Sequence, residues 1–257
     1  MNYIIICSIA FLGSGLTLFS GFGLGTLLTP VFALFFPIDI AIAMTAVVHF
    51  LNNLFKLLLV GRATDWSIVK QFGTPSVLAA ILGAFTLKML ENADILTTYT
   101  AFGHVWSVSF LKIIIGFLLI FFAFWEIIPV LNRLNFDKKY LTVGGFLSGF
   151  LGGLAGLQGV MRSAFLVRVG LSKESFIATG VVIACLIDIS RLGVYSERWR
   201  SANDLIDWSL VAAATLAAFV GAYIGSKMIE KVTIQSVQKL VAVLLIVFGS
   251  LMIVGII

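Results

Sequence analysis

Charge is what this sequence has least of. Lys, Arg, Asp and Glu make up 11% of its 257 residues, where a soluble domain carries roughly 25%. That leaves little room for any soluble domain. Cysteine is nearly absent as well. Cys7 and Cys185 each sit inside an apolar run, which excludes a disulfide framework and a clustered-cysteine metal site. Only two histidines occur, His49 and His104. There is no HExxH, no CxxC, no P-loop and no Gly-x-Ser-x-Gly. An intramembrane serine hydrolase would have to pair Ser14 or Ser148 with His49, and nothing in the spacing proposes it. Neither an enzyme nor a bound cofactor is expected. No basic residue precedes the first apolar run and no clear cleavage site follows it, so a removable signal peptide is not expected. The net charge of +5 is small. On such a chain it is read loop by loop as topology, and it does not point to nucleic acid.

What fills the chain instead is apolar sequence, 60% of all residues. Eight apolar segments are expected, at about 2–36, 38–60, 67–90, 109–131, 141–171, 174–195, 208–229 and 236–257. Several approach or exceed the roughly 20 residues that span a bilayer. In lipid the backbone must satisfy itself, and no period-two alternation suggests a barrel, so an all-α multi-pass membrane protein is expected. The segments at 2–36 and 141–171 are too long for one crossing and too short for two. Each breaks at glycines: Gly21, Gly23 and Gly25 in the first, Gly152, Gly153, Gly156 and Gly159 in the second. A re-entrant hairpin or a long helix with an unwound middle would fit.

The chain also repeats itself. A shift of 135 residues lays Gly21 on Gly156, Ala43 on Ala178, Asn53 on Asp188 and Lys56 on Arg191. After an insertion, a shift of 142 lays Asp65-Trp66-Ser67 on Asp207-Trp208-Ser209. The expected organisation is a first repeat at 1–131, a basic linker at 132–140 and a second repeat at 141–257. If all eight segments cross, the fourteen Lys and Arg other than Lys56, Arg162 and Arg191 divide seven and seven. If the two broken segments are re-entrant, the halves are inverted and the division becomes ten and four. The second obeys the positive-inside rule. Inverted halves are therefore expected, with the basic side cytoplasmic and both termini outside. Gly145, Gly149 and Gly153, and Ala217, Gly221 and Gly225, recur at helix-contact spacing. Alanine at Gly149 or Gly221 is expected to space the helices only slightly.

Candidate binding residues gather at the breaks and on the segments after them. Broken helix ends expose N–H groups to an anion, with the positive end of the helix dipole behind them. Gly21, Gly23, Gly25, Gly156 and Gly159 are the candidates; close packing is the alternative. Lys56 and Arg191 match across the repeat and either face an anion or snorkel to the interface. Arg162, just past the second break, either contacts substrate or pairs with Asp188, which can itself pair with Arg191 one turn on. Thr45, His49 and Asn52 share a helix face, with Asn53 at its edge. His49 either carries a proton or is a hydrogen-bonded structural residue. Gln158 is a neutral donor for an anion or a turn residue. The stretch around His104 shows no motif.

Two hydrophobic halves, each opening on a glycine-rich break, resemble the TauE/SafE family of membrane transporters. The residues that carry this are Gly21-Phe-Gly-Leu-Gly25 with Pro30, Pro37 and Thr45, and Gly152-Gly153-Leu-Ala-Gly156-Leu-Gln-Gly159. The family often shows three adjacent glycines at each break; here they read Gly-Leu-Gly and Gln-Gly-Val. Phe165 and Ser172 stand where the first half has Pro30 and Pro37. The resemblance implies transport, commonly export, of sulfite, a sulfonate or a related organosulfur anion across the cell membrane. Since no nucleotide site is present, a gradient would drive it, with a proton as the expected coupling ion. The sequence does not reveal an oligomeric state. The alternative is a non-transporting membrane subunit that docks a soluble partner on its basic face.

Overall fold

The computed structural model describes residues 2–20, 23–91, 95–101, 103–128, 136–201, 205–227 and 234–257. Gly21 lies outside the described residues. Helices occupy the apolar segments. The first broken segment is α1 (Asn2–Ser20) and α2 (Leu24–Ala33). Next come α3 (Ile38–Val60), a 3₁₀ turn at Gly61–Ala63, and α4 (Trp66–Glu91). A π turn at Val69–Gly73 interrupts α4 near its start. After α5 (Phe110–Ile127), the second broken segment forms α6 (Leu141–Ala155) and α7 (Gly159–Leu166). The chain closes with α8 (Lys173–Ser201), α9 (Trp208–Lys227) and α10 (Ile234–Ile253).

Four of these helices, at Ile38–Ala63, Trp66–Glu91, Lys173–Ser196 and Trp208–Lys227, are long and apolar enough to cross a membrane, and shorter apolar helices accompany them. Large apolar side chains such as Leu78, Leu82, Phe117, Phe121, Leu216 and Val243 point outward. Buried polar groups lie inside. That inversion of the soluble pattern is what a lipid solvent selects, and the chain is a multi-pass membrane protein.

The all-α expectation fails at one place. The stretch before α5 is an antiparallel hairpin, β1 (Ile95–Ala101) and β2 (His104–Ser109). The β-branched run Ile95-Leu-Thr-Thr-Tyr-Thr pairs with His104-Val-Trp-Ser-Val-Ser, and Gly103, at φ 77°, makes the turn. Tyr99 donates to the Val254 carbonyl (2.6 Å), so the hairpin packs on the end of α10.

The helices pair in four ways, and the direction of each pair follows from its contacts. Tyr3 bonds Asp207 while Gly221 meets the backbone of Phe11 and Gly225 that of Gly15, so α1 and α9 run parallel. Gly145, Gly149 and Gly153 meet the carbonyls of Phe72, Ser76 and Ala80 in turn, so α4 and α6 also run parallel. By contrast, Asp188 of α8 bonds His49 of α3, and Thr179, further back on α8, bonds the Asp65 amide, beyond the end of α3. That pair is antiparallel. So are α5 and α10, where Lys112 reaches the Gly255 carbonyl (3.3 Å) and Gly116 faces Gly249. One end of the bundle therefore holds the Gly61–Ala63 turn and the starts of α6 and α8. The other holds the hairpin, the starts of α1 and α9, and the end of α10.

The glycine seams are tighter than expected. A Cβ added to Gly149 or Gly221 would overlap the carbonyl oxygen of Ser76 or Phe11. Alanine at either position therefore cannot act as a mild spacer, which corrects the sequence reading. These helices touch backbone to backbone.

Candidate functional site

The two breaks meet at the centre of the bundle. Gly23 (φ 83°) precedes α2, and Gly156 (φ 76°) ends α6. Only glycine takes such φ values readily. The turn at Gly156 lets the Leu157 amide bond the Leu151 carbonyl (3.3 Å) and frees the chain to start α7 three residues later. A Cβ on Gly23 would lie 4.0 Å from Gly159 Cα, so the N-termini of α2 and α7 converge. A Cβ on Gly25 would lie 3.0 Å from the Gly156 carbonyl oxygen and 3.8 Å from Thr45 Cγ2. Gly23, Gly25, Thr45, Gly156 and Gly159 thus come together.

A polar network spans the antiparallel α3 and α8 beside the breaks. His49 Nδ1 lies 2.6 Å from Asp188 Oδ2. Asn53 donates to the same oxygen (3.3 Å). Arg191 donates to Asp188 Oδ1 through Nε (3.0 Å) and Nη2 (2.8 Å), and Gln158 donates to it as well (3.2 Å). Asp188 and Arg191 are fully buried. This carboxylate is tied to Arg191 and His49 on opposite oxygens. Among the described residues it makes no ion pair with Arg162, so the alternative of an Arg162–Asp188 pair is not what forms.

A cavity with about 40 Å³ open to the centres of water molecules lies against this network. His49, Asn53 and Lys56 line it from α3, and Arg162 from α7. Thr17 and Gly23 belong to its wall on the first broken segment. Phe176, Ile177 and Val181 close the α8 side. The cavity lies toward the end of the bundle that holds Gly61–Ala63, because Lys56 is near the end of α3 and Ile177 near the start of α8. Lys56 is 4% exposed and turns into the protein, so it does not snorkel to lipid. Asn52 faces elsewhere. It sits 3.0 Å from Ser14 Oγ, and with its amide oriented to satisfy both ends it donates to the Ala218 carbonyl (3.3 Å) and accepts from Lys56 Nζ (3.2 Å). The polar face that reaches the cavity is thus His49–Asn53–Lys56, one position round from the expected Thr45–His49–Asn52. Ser14 and Ser148 bond Asn52 and the Gln158 carbonyl.

Among the described residues, no carboxylate pairs with Lys56 or Arg162. Arg162 Nη1 is buried without a partner, as are Thr17 Oγ1, Thr29 Oγ1, Thr45 Oγ1, Gln158 Oε1 and Arg191 Nη1. A buried polar atom without a partner costs about 1–3 kcal/mol. So many around one centre make it the candidate place for a polar ligand. Two cationic groups, two converging helix N-termini and apolar walls suit a small oxyanion. Thr17 is the contributor that sequence reasoning missed. Its position on the apolar α1 offered no signal, since nothing in the sequence shows which face of α1 turns inward.

Among curated proteins none matches the chain. The model of the family described as sulfite exporter TauE/SafE matches residues 6–252, nearly the whole length. The fold of apolar helices, the paired breaks and this match agree, and the chain belongs to the TauE/SafE family of membrane transporters.

Proposed function

We propose that the protein is a secondary transporter that exports sulfite, a sulfonate or another small organosulfur anion, working by alternating access around the two breaks. The observation that carries this is the cavity lined by Lys56 and Arg162 at the converging N-termini of α2 and α7, with no carboxylate among the described residues paired to either cation. A bound anion would supply the missing charge and the acceptors that Arg162 Nη1 lacks. Gly23, Gly25, Gly156 and Gly159 would let it approach the backbone. Asp188, Gln158, Asn53 and Arg191 would hold His49 in place behind it.

The halves are read as inverted repeats, 1–131 and 141–257. Supporting this, α1/α9 and α4/α6 are both parallel pairs, each joining the first helix of one half to the third apolar segment of the other. The like-to-like pairs α3/α8 and α5/α10 are antiparallel. A two-fold axis in the membrane plane relates such a set. The end holding Arg62, Lys70, Lys138, Lys139, Lys173 and Lys227 is then cytoplasmic, and both termini lie outside. A C-terminal reporter that fluoresces only in the cytoplasm should stay dark; a bright and active fusion would reverse this orientation.

His49 is the proposed site of proton coupling. Asp188 holds one ring nitrogen, and the other lies near Gly23 on the cavity wall. An imposed pH gradient should drive anion movement in the wild type, and His49→Gln should abolish the drive while leaving downhill exchange.

The deciding experiment uses purified protein in liposomes, offered sulfite, thiosulfate, sulfonates, thiol carboxylates and neutral isosteres. Uptake of at least one sulfur oxyanion, with neutral isosteres excluded, is expected. Failure of every anion to move would favour a subunit that serves a soluble partner. Losing one charge-assisted hydrogen bond costs about 1.5–3 kcal/mol, so Lys56→Gln and Arg162→Gln should each weaken binding roughly ten-fold or more.

A further inference from the structure

The open cavity occupies one flank of the His49–Asn53–Asp188 network. Taking the transport function and inverted halves as read above, we propose that the other flank is a second half-site for the same oxyanion, closed in this conformation, in which Arg191 takes the part of Lys56.

The 135-residue shift gives the cavity residues counterparts. Lys56 maps to Arg191, Asn53 to Asp188, Ile177 to Ile42 and Gly180 to Thr45. Because α3 and α8 are antiparallel, these counterparts fall on the opposite side of the centre, toward the hairpin end. All four are buried at 0% exposure. A plain structural core at this point would be apolar or fully paired. Instead, four of the buried partnerless atoms belong to this flank: Arg191 Nη1, Thr29 Oγ1, Thr45 Oγ1 and Gln158 Oε1. Arg191, Thr29 and Thr45 stand against the touching glycines. A Cβ on Gly156 would meet Arg191 Nη1 at 3.0 Å and Thr29 Oγ1 at 3.7 Å, and one on Gly25 would meet Thr45 Cγ2 at 3.8 Å. A guanidinium N–H and the Thr29 hydroxyl thus converge on Gly156, beside Thr45, whose methyl faces Gly25.

The closure is also visible. Asp188 takes two donors of Arg191, and the Tyr195 hydroxyl donates to the Gly153 carbonyl, locking α8 onto α6. Leu27 and Leu28 stand where the repeat places the counterparts of Arg162 and Ser163, and both are buried. When α2 and α3 tilt from α8, Arg191 Nη1 and the threonine hydroxyls become the nearest donors to an anion leaving Lys56. The exchange of Arg162 for Leu27 leaves this half-site one cation poorer. The anion is therefore held more tightly on the Gly61–Ala63 side and released more easily on the hairpin side.

Sided kinetics test this. Vesicles sorted by orientation carry the wild type, Lys56→Gln, Arg191→Lys and Arg191→Gln, and sulfite is titrated from each face. The wild type should show the lower KM at the Gly61–Ala63 face. Lys56→Gln should raise KM about ten-fold at that face. The Arg191 variants should raise it about ten-fold at the hairpin face, with little change at the other. Arg191→Lys keeps the charge beside Asp188, so it reads the half-site even if Arg191→Gln does not fold. Equal effects of Arg191→Lys at both faces, or none at either, would overturn the half-site. A second measurement keeps Arg191 native. In a background with Cys7 and Cys185 replaced by alanine, Ile177→Cys should react with an impermeant maleimide from the Gly61–Ala63 face. Ile42→Cys should react from the hairpin face, and only during turnover. An Ile42→Cys protein that transports but never reacts overturns the proposal. Absence of wild-type transport in the same vesicles counts instead against the function itself.

Discussion

The centre of the molecule and its lateral seams both depend on glycine, for opposite reasons. At the seams between α1 and α9 and between α4 and α6, glycines have ordinary helical backbones, and what matters is the missing Cβ. Carbonyls of the neighbouring helix occupy that space. At the centre, Gly23 and Gly156 have positive φ, and what matters is the backbone conformation. The seams are closely packed. The centre leaves six buried polar atoms without partners among the described residues. The contrast teaches that stability is concentrated where the helices touch, and that the centre gives up some of it to keep a polar space open.

Five substitutions would break or sharpen this contrast. The largest effect is expected from Asp188→Ala. It leaves Arg191 and His49 buried without their carboxylate, at a cost of about 3–5 kcal/mol. Thermal unfolding in detergent should show the lowest midpoint of the set, and a variant that melts like wild type would mean the network is not structural. Next come Gly149→Ala and Gly221→Ala. Overpacking of this kind costs about 1–3 kcal/mol, and activity should fall in step with the yield of monodisperse protein. Retained yield and activity in both would show that the seams can part freely. Gly156→Ala should be milder in stability, about 1–2 kcal/mol for a left-handed alanine. Its transport rate per folded molecule should nonetheless drop steeply, because the added methyl crowds Arg191. If its activity merely tracks its stability, the centre is another seam. The smallest effect, and of opposite sign, is expected at Gly193. Nothing lies within 4 Å of a Cβ there, so Gly193→Ala should stabilise α8 by about 0.5–1 kcal/mol, read as a slightly higher melting midpoint.

The centre was more legible in the sequence than the seams. Lipid allows few backbone solutions, so the apolar segments and their interruptions translate almost directly into α1 to α10. A polar residue in such a segment stands out, and His49, Asn53, Lys56, Asp188 and Arg191 therefore announced themselves. What the residues did not disclose was direction. Thr45, His49, Asn52, Asn53 and Lys56 share an arc of about 100° on one helix, and only the position of α9 shows that Asn52 points away from the cavity. The seams suffered most, because the clearance at Gly149 depends on a carbonyl 73 positions earlier in the chain. The hairpin was missed for a different reason. β1 is exposed along nearly its whole length and β2 runs from exposed to part-buried, so neither carries an in-and-out alternation to read.

The pairing of α1 with α9 bears on how the chain is made. Nearly 190 residues separate the end of α1 from the start of its partner. At 5–20 residues per second, α1 waits in the bilayer for roughly ten to forty seconds, its glycine groove filled only by lipid. The same holds in reverse for α4, which must receive α6 from the later half. Each half therefore emerges as an unfinished object, and α1 finds its place only once α9 has been made. Two separately synthesised halves, 1–136 and 137–257, should accumulate only when both are present in one membrane.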